Sequence, residues 1–456
     1  YWHTLRYLKG VQLVDRARRA LLPLHRPVPV PADLDFRRLP PDFDRPDRPA
    51  AFTEKGAAFF GRYHDIDFTK SWDVSDDDLW KYNLHYFDDL WVSAGGDSGV
   101  DYTRLIDNWI DTQSDAHSVG MAPYPTSLRI VNWCKYFWAL PEEQVGRKMR
   151  QSLASQASTL ERRLEYHLLA NHLFANAKAL VFAGVAFEGP FGERLLSRGL
   201  DILDRELDEQ FLADGAHFEL SPMYHNVLVW DVLDLLALSN VADRPALAAM
   251  AERFSAVARD GVAWSRHMAH PDGEVSFFND AAIGVAPTAA ELAAYAQRLG
   301  VGLANEADKD GRAVQIENLR ASGYAVVQSR DYKAILDLAE VGPPYQPGHA
   351  HADTLSFEMS VRGRRCLVNT GVSTYRVGKE RDGERATRAH NTVELDGRNS
   401  SDVWAGFRVA RRAVPFERSI ECSADTCTVK CAHSGYRVPP TNADHAREWC
   451  FSRSAI

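Results

Sequence analysis

Cysteine is scarce in this chain, and long greasy runs are absent. Six cysteines stand in 456 residues (Cys134, Cys366, Cys422, Cys427, Cys431 and Cys450), too irregularly spaced to lay out a disulfide framework for a chain of this size. Cys422, Cys427, Cys431 and His433 crowd together, but their spacing matches no common zinc knuckle. That stretch reads as strands, which favours buried thiols over a metal. No uninterrupted apolar run is long enough to cross a bilayer, so no membrane span is expected. Positive charge is not in excess either. A formal charge of −9 argues against a general nucleic-acid binder, although it leaves room for a polyanionic substrate held in a locally basic cleft. No repeat of fixed length recurs, which sets aside TPR and HEAT arrays. The oligomeric state leaves no mark in the sequence.

What remains is an ordinary globular composition, 45% hydrophobic and 25% charged, with length for two or three domains. Texture divides the chain in three. Residues 1–50 hold an amphipathic helix, "TLRYLKGVQLVDRARRALLPL", followed by a proline-laden stretch that reads as an extended arm. Residues 51–317 read as helix after helix, as in "DDLWKYNLHYFDDLWV", "YTRLIDNWIDTQ", "TSLRIVNWCKYFWAL", "VGRKMRQSLASQASTLERRLEY" and "TAAELAAYAQRLG". Many short helices joined by short loops predict hairpins packed in a ring or solenoid. Residues 318–456 switch to alternation, β-branched residues and turn signals, in "GYAVVQSRDYKAILDLAEV", "TLSFEMSVRGRRCLVNTG", "HNTVELDG" and "TVKCAHSGYRV", predicting an antiparallel β domain, a sandwich. The chain opens on Tyr1 and not on methionine, which leaves room for a signal peptide upstream. It closes on "HAREWCFSRSAI", which reads as a strand begun, so the native polypeptide is expected to continue.

Four stretches carry candidate chemistry. In "GHAHADTLSFEMS" a strand would set His349, His351, Asp353, Leu355, Phe357 and Met359 on one face; that is either a strand end turning polar or a site at a strand end. In "EYHLLANHLFANAKALVFAG" the adjacent Asn171 and His172 sit inside an apolar helix. Helix-interior asparagine is disfavoured, so a link between helices or a site should compensate for it. In "DGAHFELSPMYHNVLVWDVLDLL" Ser221 and Pro222 make a helix start and put Tyr224 in the first turn. The helix dipole there favours a phenolate by about 0.3–1 kcal/mol; a packed ring with a wet hydroxyl is the plainer reading. In "NTGVSTYRVGKERDGERATRAHNTVELDG" Arg376, Lys379, Arg381, Arg385 and Arg388 lead to His390 at the opening of a strand. A loop this basic is either a solvated face or a cradle for a carboxylated or sulfated ligand.

Together "ANH", "DG…ELSPMYH", "GHAHAD", "LVNTG…Y" and "AHNTV", in that order over roughly residues 80 to 400, resemble the heparinase II/III family of polysaccharide lyases, as do "LRIVNW" and "FFNDAA". The resemblance implies an α+β multidomain fold, an incomplete α/α toroid followed by an antiparallel β-sandwich. It implies β-elimination at a uronic acid within an acidic polysaccharide. That reaction needs the carboxylate charge neutralised, a base for the C5 proton, and an acid for the leaving oxygen. By resemblance Asn171 neutralises the carboxylate with His172 beside it. Tyr224 protonates the leaving oxygen and doubles as base when proton and leaving group share a face. His349 is base or assistant from the opposite face. Arg129, Trp133, Tyr375 and Arg388 become substrate contacts.

The same resemblance turns His351 into a structural divalent metal site with His390 and the acidic position of the "LVNTG" turn. Zinc comes before calcium or manganese, and no organic cofactor is implied. Here the chain carries Asn369 where relatives usually have aspartate, a neutral and weaker ligand, and Asp353 is a substitute ligand or anchor. A periplasmic or secreted location is favoured over a cytoplasmic one on the same ground. Three other readings stay open. A glycoside hydrolase on a similar toroid needs two carboxylates across the scissile bond; Glu219 and Asp214 lie near Tyr224 in sequence but make no persuasive pair. A metal-dependent hydrolase could use the HxH pair, although that fold alternates strands and helices throughout. The last is a non-catalytic protein that binds acidic glycans.

Overall fold

The computed structural model describes residues 2–22, 29–31, 33–39, 43–44, 50–75, 77–90, 99–113, 118–304, 314–423 and 425–453. Residues 25–28, 32, 40–42 and 45–49 of the proline-rich arm, and 454–456 of the closing stretch, lie outside them. The chain is helical in its first part and antiparallel sheet from Val314 onward, the expected fold class. It forms two compact units: a helical unit of Gly10–Leu207 with Asp234–Arg253, and a sheet unit of Tyr1–Lys9, Asp208–Leu233 and Phe254–Ile456. Among the described residues no helix is long and apolar enough to cross a membrane.

The helical unit is built around the helix Ala170–Ala186, in which every residue except His172 is buried. A helix apolar all round must be surrounded, and here small residues let neighbours approach. A Cβ on Gly184 would lie 2.4 Å from the backbone nitrogen of Leu196, so this helix and Gly189–Gln210 touch backbone to backbone. Four predicted stretches form the helices Tyr102–Thr112, Pro123–Ala139 and Arg147–Arg162 here, and Ala289–Arg298 in the sheet unit. The last has a capping box between Thr288 and Glu291. "DDLWKYNLHYFDDLWV" falls short of its predicted length. Its helix is Asp78–Leu84, because the backbone turns left-handed at Phe87 (φ 58°), which ends any right-handed helix. Three short strands, β1 (Phe52–Thr53), β2 (Gly56–Phe59) and β3 (Arg62–Asp65), pair antiparallel in this unit.

In the sheet unit β4 (Val314–Leu319), β5 (Tyr324–Ser329), β6 (Tyr332–Asp337), β7 (Phe357–Val361) and β8 (Arg364–Leu367) follow one another as an antiparallel meander. Strands β9 (Val403–Trp404) and β10 (Arg408–Val409) pair with each other, and β11 (Pro415–Cys422), β12 (Thr426–Tyr436) and β13 (Ala443–Ser452) form a second antiparallel sheet. Successive side chains of the meander point to opposite faces, and both faces are covered. Ala325, Val327, Ala334 and Leu336 pack against Val429, Cys431, Trp449 and Phe451 of the second sheet, which makes the sandwich. Tyr324, Val326 and Ile335 point the other way, onto Ala216, Leu220, Trp264, Met268 and Phe278. Each valine so buried is stabilising by roughly 1.5–3 kcal/mol. The helical residues that carry the candidate tyrosine are therefore clamped onto a rigid sheet.

Three local expectations need correction. "GHAHAD" is not strand: β7 begins at Phe357, and a left-handed Leu355 (φ 64°) breaks the extended run before it. "HNTVELDG" is also not a strand, and His390 follows the 3-10 turn Thr387–Ala389. The cysteines of the β11–β12 hairpin are not all thiols. Cys422 and Cys427 occupy paired positions and form a disulfide, while Cys431 is free and buried.

Candidate active site

In the sheet unit, Tyr224 owes its place to two backbone features. Gly215 has φ 86°, and a Cβ there would come 2.3 Å from the Asp260 carbonyl oxygen; only glycine fits. Leu220 is left-handed (φ 58°), a conformation that costs a non-glycine residue about 1–3 kcal/mol. Its carbonyl is held by the Asn279 amide at 2.9 Å and the Tyr324 hydroxyl at 2.9 Å. After this twist Ser221 caps the helix Pro222–Val241, its hydroxyl accepting the Tyr224 N–H at 3.2 Å.

The imidazole of His349 lies flat on the Tyr224 ring, with centroids 3.8 Å apart and planes at 11°. His349 Nδ1 hydrogen-bonds the carboxylate of Glu219, which is 1% exposed. The Tyr224 hydroxyl donates to the Tyr375 hydroxyl at 3.0 Å, and the Tyr375 ring stacks on Phe407 at 5.9 Å. Sequence and structure thus agree in bringing Tyr224, His349 and Tyr375 together. Arg388 is exposed on the turn Thr387–Ala389.

Behind this group lies a sealed chain of charges. The Arg381 guanidinium sits 5.1 Å from the Tyr375 ring centre and 5.4 Å from that of Phe407. It grips Asp280 with both Nη atoms, the Nη2–Oδ2 distance being 2.6 Å. Asp280 Oδ1 also accepts from His351 Nε2 at 2.7 Å. Burial alone would raise the Asp280 carboxyl, but Arg381 and His351 outweigh it and hold the group well below the usual carboxylate range. Burial, then the neighbouring His351, pushes His390 well below an ordinary histidine.

His351 Nδ1 and His390 Nε2 face each other at 3.3 Å. Two nitrogens each bound to one tetrahedral zinc at about 2.0–2.1 Å would stand about 3.3–3.4 Å apart, so this pair fits such an ion as well as it fits an N–H···N hydrogen bond. The Asp280 carboxylate behind His351 is the usual outer partner of a metal-bound imidazole. Asn369 is buried next to them: its Oδ1 accepts the Asn391 N–H at 3.0 Å, and its Nδ2 has no hydrogen-bond partner. One amide oxygen lone pair is what it has to offer. Asp353 instead accepts the Asn279 N–H at 3.2 Å and is raised by burial. Among the described residues no three His, Cys, Asp or Glu side chains gather as a metal cluster.

In the helical unit Asn171 and His172 stand in the first turn of Ala170–Ala186, not in a helix interior. Two consecutive left-handed residues, Leu169 (φ 65°) and Ala170 (φ 51°), start the helix there, so the predicted propensity penalty on Asn171 does not arise. Asn171 is buried. His172 packs on the Tyr124 ring at 4.7 Å, with its Nδ1 3.2 Å from Glu165 Oε1. Burial would raise Glu165, but the His172 imidazole and the Asn176 amide prevail and hold it below its ordinary value.

Arg129 and Trp133 are corrections to the expected substrate contacts. Both are 0% exposed. Arg129 hydrogen-bonds Gln156 Oε1 at 2.7 Å, the His85 carbonyl at 3.1 Å and Thr126 Oγ1 at 3.2 Å, and lies 4.0 Å over the Trp109 ring. Trp133 meets Trp109 edge-on at 5.4 Å. They hold helices together and present nothing to a glycan. The carboxylates weighed for a hydrolase are also taken: Glu219 by His349, and Asp214 by the Ser322 N–H at 2.8 Å and hydroxyl at 2.9 Å.

Sequence reasoning overlooked Glu219 as the partner of His349, and Asp280 with Arg381 as the support of the second histidine. Only the quoted "FFNDAA" and the basic loop touched the last two.

Two family models match the chain, "Heparinase II/III N-terminus" over residues 146–298 and "Heparinase II/III-like, C-terminal" over 311–455. A heparin-sulfate lyase of Pedobacter heparinus is 28% identical over 244 residues, covering 50% of this chain and 36% of that protein. One of Bacteroides stercoris is 24% identical over 255 residues, 51% of this chain and 37% of that protein. The matched stretch thus spans little more than a third of those relatives. A crystal structure of heparinase III superposes with a TM-score of 0.64 at 19% identity, over 84% of this chain and 63% of that one, a likeness of fold.

Proposed function

This chain belongs to the heparinase II/III-like family, and from that premise we propose that it is a polysaccharide lyase cleaving a uronic-acid-containing polysaccharide by β-elimination. The observation that carries the reading is the stacked Tyr224–His349 pair, with Glu219 on the imidazole and Tyr375 on the phenol. Elimination needs a base and an acid acting on one sugar, and a phenol and an imidazole in van der Waals contact are such a couple. In the proposed reaction His349 Nε2 takes the C5 proton and the C4–O4 bond breaks as C4=C5 forms. Tyr224 gives its proton to O4. Where proton and leaving group share a face, Tyr224 starts as the phenolate, takes the C5 proton, and passes it to O4 as the C4–O4 bond breaks. Asn171, with His172 beside it, is assigned the uronate carboxylate, whose charge must be neutralised for the C5 proton to become acidic.

The likeness to heparin-sulfate lyases puts heparan-type glycosaminoglycans first among substrates, ahead of hyaluronan, alginate and acidic exopolysaccharides. We further propose that His351 and His390, with the Asn369 amide oxygen, hold a structural divalent ion, zinc before calcium or manganese. The nitrogen spacing and the Asp280 carboxylate support this. The ion would brace the loop that carries His349 and takes no part in proton transfer.

The test is incubation with each uronate polymer while following the ultraviolet absorbance of the unsaturated product. Wild type should generate it and Tyr224→Phe should not. Reducing ends released without absorbance would point instead to hydrolysis, and equal signals from wild type and Tyr224→Phe would remove the mechanism.

A further inference from the structure

We infer that Glu219 is a positioning residue that fixes the tautomer of His349; the inference rests on the lyase reading above. A neutral imidazole carries its proton on one nitrogen, and the partner of the other decides which. A carboxylate only accepts, so the bond from Nδ1 to Glu219 places the proton on Nδ1 and the lone pair on Nε2. Among the described residues Nε2 makes no hydrogen bond. The ring is 12% exposed, whereas Glu219 is 1% exposed, so the base nitrogen is the one left for an incoming molecule. Stacking on Tyr224 with planes at 11° blocks ring rotation, and the Asp280 N–H binds the His349 carbonyl at 3.0 Å. The imidazole therefore has one available pose and, with Glu219 in place, one tautomer in it.

Glu219 itself is set by the backbone. It directly precedes the left-handed Leu220, whose carbonyl is pinned by Asn279 and Tyr324. The strained turn that starts the Tyr224 helix therefore also aims the carboxylate, and one local structure delivers both the phenol and the group that orients its partner. When His349 accepts a proton, the ring becomes a cation whose nearest counter-charge is this buried carboxylate, where a low local dielectric strengthens the attraction. Elsewhere, loss of a carboxylate orienting a catalytic imidazole costs up to roughly 10⁴-fold in kcat.

The test uses the full chain labelled with 15N-histidine, the His349 signals being identified by their loss in His349→Gln. In wild type at a pH where imidazole is neutral, long-range proton–nitrogen spectra should show Nδ1 protonated and Nε2 bare. In Glu219→Gln the amide can face the ring with oxygen or NH2, so both tautomers should be populated. The kcat for elimination should fall roughly 10²–10⁴-fold with KM within about threefold. Glu219→Asp, which keeps the charge, should restore the Nδ1-protonated form and recover at least about tenfold over the Gln variant.

A wild-type His349 protonated on Nε2 overturns the inference, and that measurement stands even if Glu219→Gln fails to fold. So does a Glu219→Gln enzyme with undiminished kcat. A wild-type protein with the expected tautomer but no elimination on any uronate polymer would remove the lyase reading and leave the positioning role of Glu219 standing.

Discussion

Replacing Asp280 by asparagine takes one charge from a place that water does not reach. Asp280 and Arg381 are both 0% exposed, and the carboxylate receives three donors: the two Nη atoms of Arg381 and His351 Nε2. Asparagine keeps one oxygen but turns an NH2 toward a guanidinium nitrogen, so one contact becomes donor against donor and the arginine is stranded in the interior. Two unit charges about 4 Å apart attract by about 4 kcal/mol at an effective dielectric of 20, and breaking one side of a buried pair costs about 3–5 kcal/mol. Asp280→Asn should therefore lose about 3–5 kcal/mol. Arg381→Met should lose a similar amount, since it leaves the carboxylate with His351 alone. The double variant should cost clearly less than the two singles added, because neither charge is then left without its partner. Urea unfolding of the four proteins, followed by circular dichroism, measures the cycle. A loss below about 1 kcal/mol for Asp280→Asn, or singles that add to within about 0.5 kcal/mol, would refute the reasoning.

Acid should weaken the fold through neutral buried histidines. Burial depresses His217 to about 4 and His225 to about 3, and His225 already accepts the His217 N–H on Nδ1 at 3.0 Å and meets the Gly261 carbonyl with Nε2 at 2.8 Å. The unfolded chain takes up these protons first, so stability is whole above about pH 6.5 and falls as pH drops toward the folded values, by about 3 kcal/mol for His217 alone. Asp337 and Asp353, raised chiefly by burial, push the other way, so the readout is wild type minus His217→Gln in urea midpoints between pH 8 and 4; a pH-independent difference would sink the account. Arg129→Lys should cost about 2–4 kcal/mol, since lysine cannot reach Gln156, His85 and Thr126 at once; a raised KM with unchanged stability would return Arg129 to substrate binding. Chelation should lower the melting temperature of protein purified with its metal, and Asn369→Asp should tighten zinc by roughly tenfold in a competition titration. Equal zinc affinity in the two proteins would remove Asn369 from the ligand set.

Much of the fold was legible because it rests on period alone. The helices Tyr102–Thr112 and Arg147–Arg162 and the β5–β6 hairpin each show their spacing without help from the rest of the chain. What was not legible has a common cause. Leu169, Ala170, Leu220, Asn279 and Leu355 all take left-handed backbone, which leucine and alanine rarely announce, and each lies within a few residues of chemistry: before Asn171, before Tyr224, before Asp280, and after the two histidines of "GHAHAD". The turn at Leu355 and the loop before it are why alternation misread that stretch. On a regular strand His349 and His351 would share a face about 6.6 Å apart; off it, one reaches Glu219 and the other Asp280.

The same argument separates the site residues that sequence could identify from those it could not. Tyr224 and His349 were singled out through the family resemblance; the residues alone foretold the serine–proline helix start but left a packed tyrosine and a polar strand end as open readings. Arg129 and Trp133 carry the residue types of a sugar contact, but their role depends on which face of Pro123–Ala139 is turned inward. That helix buries residues on every side, Pro123, Ser127, Arg129, Ile130, Trp133 and Phe137 among them, so it has no amphipathic stripe to read. As the partner of His349, Glu219 was invisible for the opposite reason. A glutamate beside a helix start looks like surface charge, and only the twist at Leu220 carries it inward to His349. Where left-handed backbone is held by neighbours such as Asn279 and Tyr324, the energy spent on strain goes into aiming side chains, and the chemistry of this chain should be sought first at those turns.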